Sequence, residues 1–220
     1  MDQKNYWTKQ INDWEAGSFG NKIAKKKLSI LEQIASLFRH TIRIRRELAI
    51  NHIMKIKPKS ILELGCASGD LALFLGSEDF VEKIYAFDIA PNAIENASKK
   101  AKLNNLDDKI IFKQSSLRDL DFEKFQEVDL VIGLGLTPYL IKDEFENLIK
   151  ISIGKHYFID FHMKGFNLQN LMHSIYRNIK SETFPFYNRY KKNDLITELN
   201  NLGLSIKDIE EFKGVSFIKN

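Results

Sequence analysis

The spacing of apolar residues changes character near residue 59. In residues 21–56, Ile23, Leu28, Leu31, Ile34 and Leu37 or Phe38 recur near helical spacing. Ile42, Ile44, Leu48, Ile50, Ile53 and Met54 continue the series less regularly, so the stretch predicts two helices or one bent one. Pro58 marks its end. Beyond it, short apolar runs alternate with helical patterns. Strands are predicted at 60–64, 83–88, 110–112, 128–133 and 155–161. A short helix follows Asp70. A longer one starts at Pro91, with Ala93, Ile94, Ala97 and Ala101 on its apolar side, and ends at Asn104-Asn105. Further helices are expected at 143–152, 167–179 and 193–201, the last closed by Gly203. Residues 204–212 and 215–218 read as a hairpin around Lys213-Gly214.

Alternation of this kind implies an α/β, doubly wound, mostly parallel sheet of seven strands with an antiparallel C-terminal hairpin. Residues 1–58 form a helical extension or cap, and residues 59–220 the main domain. Ligands in such sheets sit outside the carboxyl ends of the strands. The residues just after each strand therefore carry the functional information.

The chain of 220 residues is long enough to bury a core without staples. Its single cysteine, Cys66, excludes an intramolecular disulfide and suits a reducing cytoplasm. No apolar run reaches the length of a membrane span, and the first residues lack an apolar signal core. No metal-ligand set is expected. The net charge of +4 is mild but uneven. Lys22, Lys25, Lys26, Lys27, Arg39, Arg43, Arg45, Arg46 and Lys55 crowd residues 21–56, opposed only by Glu32 and Glu47, which leaves the remainder net negative. Such a face would suit nucleic acid, an anionic membrane surface or an anionic substrate, or be solvated. Residues 1–20 hold Tyr6, Trp7, Trp14 and Phe19, which would pack on the domain or close over a pocket.

The first strand runs into Glu63-Leu64-Gly65-Cys66-Ala67-Ser68-Gly69, and Asp70 opens the next helix. Glycines let a ligand approach the backbone, and the helix start offers unpaired N–H groups. The bland alternative is a tight turn with no ligand. The loop resembles motif I of the class I S-adenosylmethionine-dependent methyltransferases, Glu/Asp-x-Gly-x-Gly-x-Gly, with Ala67 in place of the middle glycine. It is not the Gly-x-Gly-x-x-Gly of dinucleotide enzymes, which disfavours a nicotinamide dehydrogenase. Asp88 ends the second strand 23 residues after Gly65, where a carboxylate can accept from a ribose diol, and Ile89 offers an apolar surface to adenine. After the third strand, Ser115-Ser116-Leu117 stands where many family members read Gly-Asp-Ala. The Ser116 hydroxyl would meet the adenine amino group and the Leu117 backbone a ring nitrogen. The fourth strand end, Gly133-Leu134-Gly135-Leu136-Thr137-Pro138-Tyr139, resembles motif IV, beside the methionine end of the cofactor. It is not the Asn/Asp-Pro-Pro-Tyr/Phe motif used on many exocyclic base amines and glutamine side chains. The resemblance covers about residues 59–161 and implies a Rossmann-like fold.

What it implies chemically is methyl transfer from S-adenosylmethionine to an oxygen or nitrogen of an acceptor. His162, just after the fifth strand, is the candidate base or orienting group, and Tyr139 a candidate for lining the acceptor pocket. Residues 162–190 exceed an ordinary connection and carry His173, Tyr176, Arg177, Phe184, Phe186, Tyr187, Arg189 and Tyr190, enough for a lid or acceptor wall. Enclosure by this insert and the N-terminal helices favours a small-molecule acceptor, anionic or a sugar derivative. An RNA or protein methyltransferase docking through the basic helices stays open, as does a regulatory protein that binds the cofactor without turnover.

Overall fold

A computed structural model describes residues 3–19, 30–165 and 187–220. Two helices, α1 (Gln3–Phe19) and α2 (Ile30–Ile56), precede β1 (Ser60–Leu64), α3 (Asp70–Gly76) and β2 (Lys83–Asp88). Then come α4 (Pro91–Leu103), β3 (Ile110–Gln114), β4 (Leu130–Gly133), α5 (Lys142–Ser152) and β5 (His156–Phe161). After the insert follow α6 (Lys192–Asn201), β6 (Glu210–Phe212) and β7 (Val215–Lys219). The seven strands run in the order β3-β2-β1-β4-β5-β7-β6. β1 to β5 pair in parallel, and β7 joins antiparallel to β5 and β6. The α/β class, the parallel sheet and the antiparallel hairpin all follow the alternation in the sequence.

Side chains alternate across the sheet, so each strand feeds two cores. Ile61, Leu130, Ile132, Phe158 and Phe217 share one face with Ile53 of α2 and Leu75 of α3. Leu62, Val131, Ile159 and Ile218 share the other with Leu148 of α5 and Leu199 of α6. Burial on both faces explains why the central strands are almost wholly apolar. β3 is longer than its apolar run suggests, because Lys113 and Gln114 of this edge strand pair with Phe87 and Asp88. β4 is shorter. Asp129 leaves the ladder and its carboxylate accepts the N–H groups of Lys59 and Ser60, both at 2.8 Å.

The aromatic N-terminal segment, to which the apolar pattern gives no element, is helix α1. Ile11 packs with Ala90 and Ala93 at the start of α4, and Trp7 and Ala67 each pack against this cluster. Asn92 donates to Thr8 O at 2.8 Å. The predicted helix at 167–179 and the insert residues His173, Tyr176, Arg177, Phe184 and Phe186 lie outside the described residues, as do Lys22, Lys25, Lys26 and Lys27 of the basic stretch. Among the described residues no helix is long and apolar enough to cross a membrane.

Candidate active site

The strand order reverses between β1 and β4, which opens a crevice at their carboxyl ends. The residues after β1, β2 and β4 meet there. Gly65 leaves β1 with φ +76°, and Gly69, at φ +76°, caps α3. Ala67 adopts φ +46°, a left-handed conformation that a glycine would take at lower cost. The missing glycine of motif I is thus a strained alanine, packed against the cluster of Ile11, Ala90 and Ala93. A side chain at Gly69 would come within 2.7 Å of Phe112 and 2.9 Å of Ala97, so the loop lies tight on its neighbours. Leu136 of the motif IV loop closes to 3.1 Å of the point where a Gly65 Cβ would sit.

Asp88 is the clasp of this region. One carboxylate oxygen accepts the N–H of Ala67 and the other that of Ala90, each at 2.9 Å. It thereby ties the glycine loop to the start of α4. Each oxygen keeps a second lone pair. Burial pushes this carboxyl up, against the pull of the backbone donors. Ile89, next along, accepts from Gln114 at 3.3 Å. Glu63 is buried, 4% exposed, at the end of β1. Among the described residues its Oε2 has no hydrogen-bond partner. Burial first, then the charges of Asp88 and Asp70, push its carboxyl up to about 8, opposed by Arg46 and the Ala72 N–H. Cys66 is buried and its thiol is pushed up by burial, then by Glu63 and Asp88, so it stays a neutral filler.

After β3, the Ser116 hydroxyl donates to Asp119 Oδ2 at 2.6 Å, and the Asp119 N–H returns to Ser116. A carboxylate therefore stands beside the position where the family's acid is missing, supplied from three residues downstream. Leu117 turns its side chain into the core and accepts from Asn147 through its carbonyl. Gly133 ends β4 against Leu148, and Leu134 packs on the α2 side of the sheet.

The far end of the crevice is built around β5. Asp160 is fully buried among the apolar residues Tyr157 to Phe161 of β5. Its Oδ1 accepts the Gly135 N–H at 2.5 Å, and its Oδ2 pairs with Arg45 Nε of α2 at 2.9 Å. Burial pushes the Asp160 carboxyl up, while Arg45 and Gly135 pull it down. Arg45 Nη2 lies 2.5 Å from His162 Nε2, and Tyr187 Oη lies 2.5 Å from His162 Nδ1. Tyr187 is brought there because the chain after the insert runs beside residues 162–164, with Tyr190 N–H donating to His162 O at 2.9 Å. Asn188 pins the same segment to the motif IV turn through Pro138 O and Leu140 O. Tyr139 meets Tyr187 edge-on at 5.3 Å and Trp7 edge-on at 4.7 Å, and Gln3 of α1 donates to Tyr139 O at 3.0 Å. The guanidinium of Arg189 lies 5.5 Å from the Tyr187 ring centre.

The sequence-predicted residues thus fall into two groups. Glu63, Gly65, Cys66, Ala67, Gly69, Asp88 and Ile89 converge on one side of the crevice; Tyr139 and His162 share the other, with Gly133 and Leu134 between. Arg45 was read only as part of the basic face, and Asp160 was not singled out, although an acid within an apolar run signals a buried partner. Arg46 also turns to this edge and donates to Asp70 O at 3.1 Å. The basic stretch is therefore divided. Arg43 stays exposed beside Glu47, whereas Arg45 and Arg46 serve the crevice.

Residues 61–151 match the family model described as a methyltransferase domain. Over 128 residues the chain is 34% identical to the release factor glutamine methyltransferase of Dictyoglomus turgidum, covering 56% of this chain and 45% of that one. Over 99 residues it is 32% identical to a ribosomal protein L11 methyltransferase of Acinetobacter baumannii, covering 43% and 32%. The chain thus spans less than half the length of these relatives. In structure it resembles magnesium protoporphyrin IX methyltransferase from Synechocystis PCC 6803 with bound SAH, at TM-score 0.66, 15% identity and coverage of 98% and 96%. The chain therefore has the class I S-adenosylmethionine-dependent methyltransferase fold, in its Rossmann-like form.

Proposed function

We propose that this protein is a cytoplasmic methyltransferase that carries a methyl group from S-adenosylmethionine to an oxygen or nitrogen of a small-molecule acceptor. The crevice fits that cofactor on two counts. It holds an orphaned buried carboxyl oxygen on Glu63 to face a cationic group, and an acid at the end of β2 for a ribose. When bound, the cofactor would supply a methyl already activated on a sulfonium. The backbone of Gly65, Cys66, Ala67 and Gly69 would lie along its amino-acid part, and Asp88 would accept from the ribose hydroxyls. Ile89, Ser116 and Leu117 would border the adenine. Gly133 and Leu134 would leave room at the methionine end. Tyr139 and His162 would stand on the acceptor side, where positioning contributes much of the rate.

One observation carries the small-molecule reading. Helix α1 reaches both walls of the crevice, with Trp7 packed on the cluster of Ile11, Ala90 and Ala93 at the start of α4 and meeting Tyr139 of the motif IV turn edge-on. A folded RNA or protein would need that helix removed. A second reading, a protein acceptor, draws on the two sequence relatives, whose names specify a release factor and a ribosomal protein. Against it, Thr137-Pro138-Tyr139 departs from the Asn/Asp-Pro-Pro-Tyr/Phe pattern.

The test is calorimetric titration with S-adenosylmethionine, its demethylated product and NAD. Saturable binding of the first two alone is expected. Radiolabelled methyl transfer to a metabolite panel, and not to ribosomal protein or RNA, would then support the small acceptor. Label in protein or RNA would replace it with the second reading.

A further inference from the structure

Arg45 makes His162 unfit to act as a base in the arrangement observed. A guanidinium stays protonated in proteins and offers only donors. Its Nη2 lies 2.5 Å from His162 Nε2, so that nitrogen must present its lone pair. A neutral imidazole carries one proton, which then sits on Nδ1. Nδ1 faces Tyr187 Oη at 2.5 Å, so the ring donates and the phenol oxygen accepts. Both nitrogens are committed, and the Tyr187 proton is directed away from the ring. Arg45 is itself held by Asp160, whose second oxygen is fixed by the Gly135 N–H of the motif IV loop. The chain Gly135, Asp160, Arg45, His162, Tyr187 runs from the cofactor side of the crevice to its aromatic side. Its central member comes from helix α2.

We propose that His162 is a positioning residue, locked by Arg45 as the neutral Nδ1–H tautomer, whose Nδ1–H holds the Tyr187 phenol oxygen. The lock also gives α2 a role beyond packing, since it sets the protonation pattern at the end of β5. The charged groups near His162 among the described residues are Arg45 and, behind it, Asp160, with Arg189 5.5 Å from the Tyr187 ring centre.

Imidazole nitrogen NMR on the full-length, cofactor-free protein tests the lock without any turnover. His162 is assigned by comparison with His162→Gln, whose amide can still accept from Arg45 and donate to Tyr187. At neutral pH the expected pattern is a protonated Nδ1 and a bare Nε2. A protonated Nε2, alone or with Nδ1, would overturn the proposal. The double variant Arg45→Met with Asp160→Asn, which removes the guanidinium without stranding a buried carboxylate, should release the ring to the Nε2–H form. Tyr187→Phe should leave the Nδ1–H form in place. A ring that keeps Nδ1–H in the double variant, or loses it in Tyr187→Phe, would show that Arg45 does not set the tautomer. Calorimetry with S-adenosylmethionine on the same samples separates failure of the lock from failure of the methyltransferase reading.

Discussion

Replacing Arg45 by methionine keeps most of the apolar stem and deletes the charge. The two side chains of the pair are 13% and 1% exposed, so solvent cannot take over the role of the guanidinium. Asp160 keeps the Gly135 N–H but loses its only described cationic partner. Breaking a buried pair from one side costs about 3–5 kcal/mol, because the surviving charge is stranded. For a chain of this size that lowers Tm by about 6–20 °C. The cost also depends on pH. Burial already pushes the Asp160 carboxyl up, and without Arg45 the main opposing pull is gone. The folded state then holds a proton that the unfolded state releases, so stability falls as pH rises between the unfolded and folded values. Arg45→Met should therefore lose more at pH 8 than at pH 5. Adding Asp160→Asn should recover most of the loss. Urea denaturation of the wild type, both single variants and the double variant at the two pH values measures all of this. A loss below about 1 kcal/mol at pH 8, with no recovery in the double variant, would refute the claim that this pair is a buried ion pair that stabilises the fold.

Three further outcomes follow from the crevice. Glu63 sits at about 8 when folded, so the wild type loses stability as pH rises from the unfolded value toward 8. Glu63→Gln escapes that loss, and its advantage over wild type should grow by about 2–4 kcal/mol between pH 5 and pH 8; a pH-independent difference in denaturation midpoints would contradict this. Gly69→Ala places a methyl 2.7 Å from Phe112 at φ +76° and should cost at least about 2 kcal/mol. Gly154→Ala, at φ +75° with nothing within 4 Å, is the control and should cost only the backbone strain, about 1 kcal/mol. Asp88→Asn turns one of two acceptors toward an N–H as a donor, and S-adenosylmethionine binding should weaken by about 1–3 kcal/mol, roughly 5- to 150-fold. Unchanged calorimetric affinity in a folded Asp88→Asn protein would remove Asp88 from the ribose site.

What the sequence determined by itself is what neighbours along the chain decide. Short, nearly continuous apolar runs between helical patterns imply a parallel sheet with covered faces, and β1, β2 and α4 fall where that pattern puts them. Glu63 to Gly69 reads as a strand, loop and helix start because backbone conformation there depends on local residues. Ala67 shows how local that reading is: the departure from glycine is visible in the letters, and its φ of +46° is the strain that such a departure entails. Asp88 was legible for the same reason, as an acid closing a short apolar strand. Tertiary structure alone decided the other half of the crevice. Arg45, Asp160, His162 and Tyr187 come from a helix, a strand end and the far side of an insert, with Arg45 and His162 117 positions apart. No spacing rule links them; they meet because α2 packs on the sheet face ending at β5 and because residues 187–190 return to pair with residues 162–164. Charge counting along the chain saw a basic helix, whereas folding turned Arg45 inward to a buried carboxylate and left Arg43 in solvent. The same holds for α1. Its aromatic residues lack a clean helical stripe, and Trp7 acquires its place against Ala90, Ala93 and Tyr139 only when the start of α4 and the motif IV turn are already side by side.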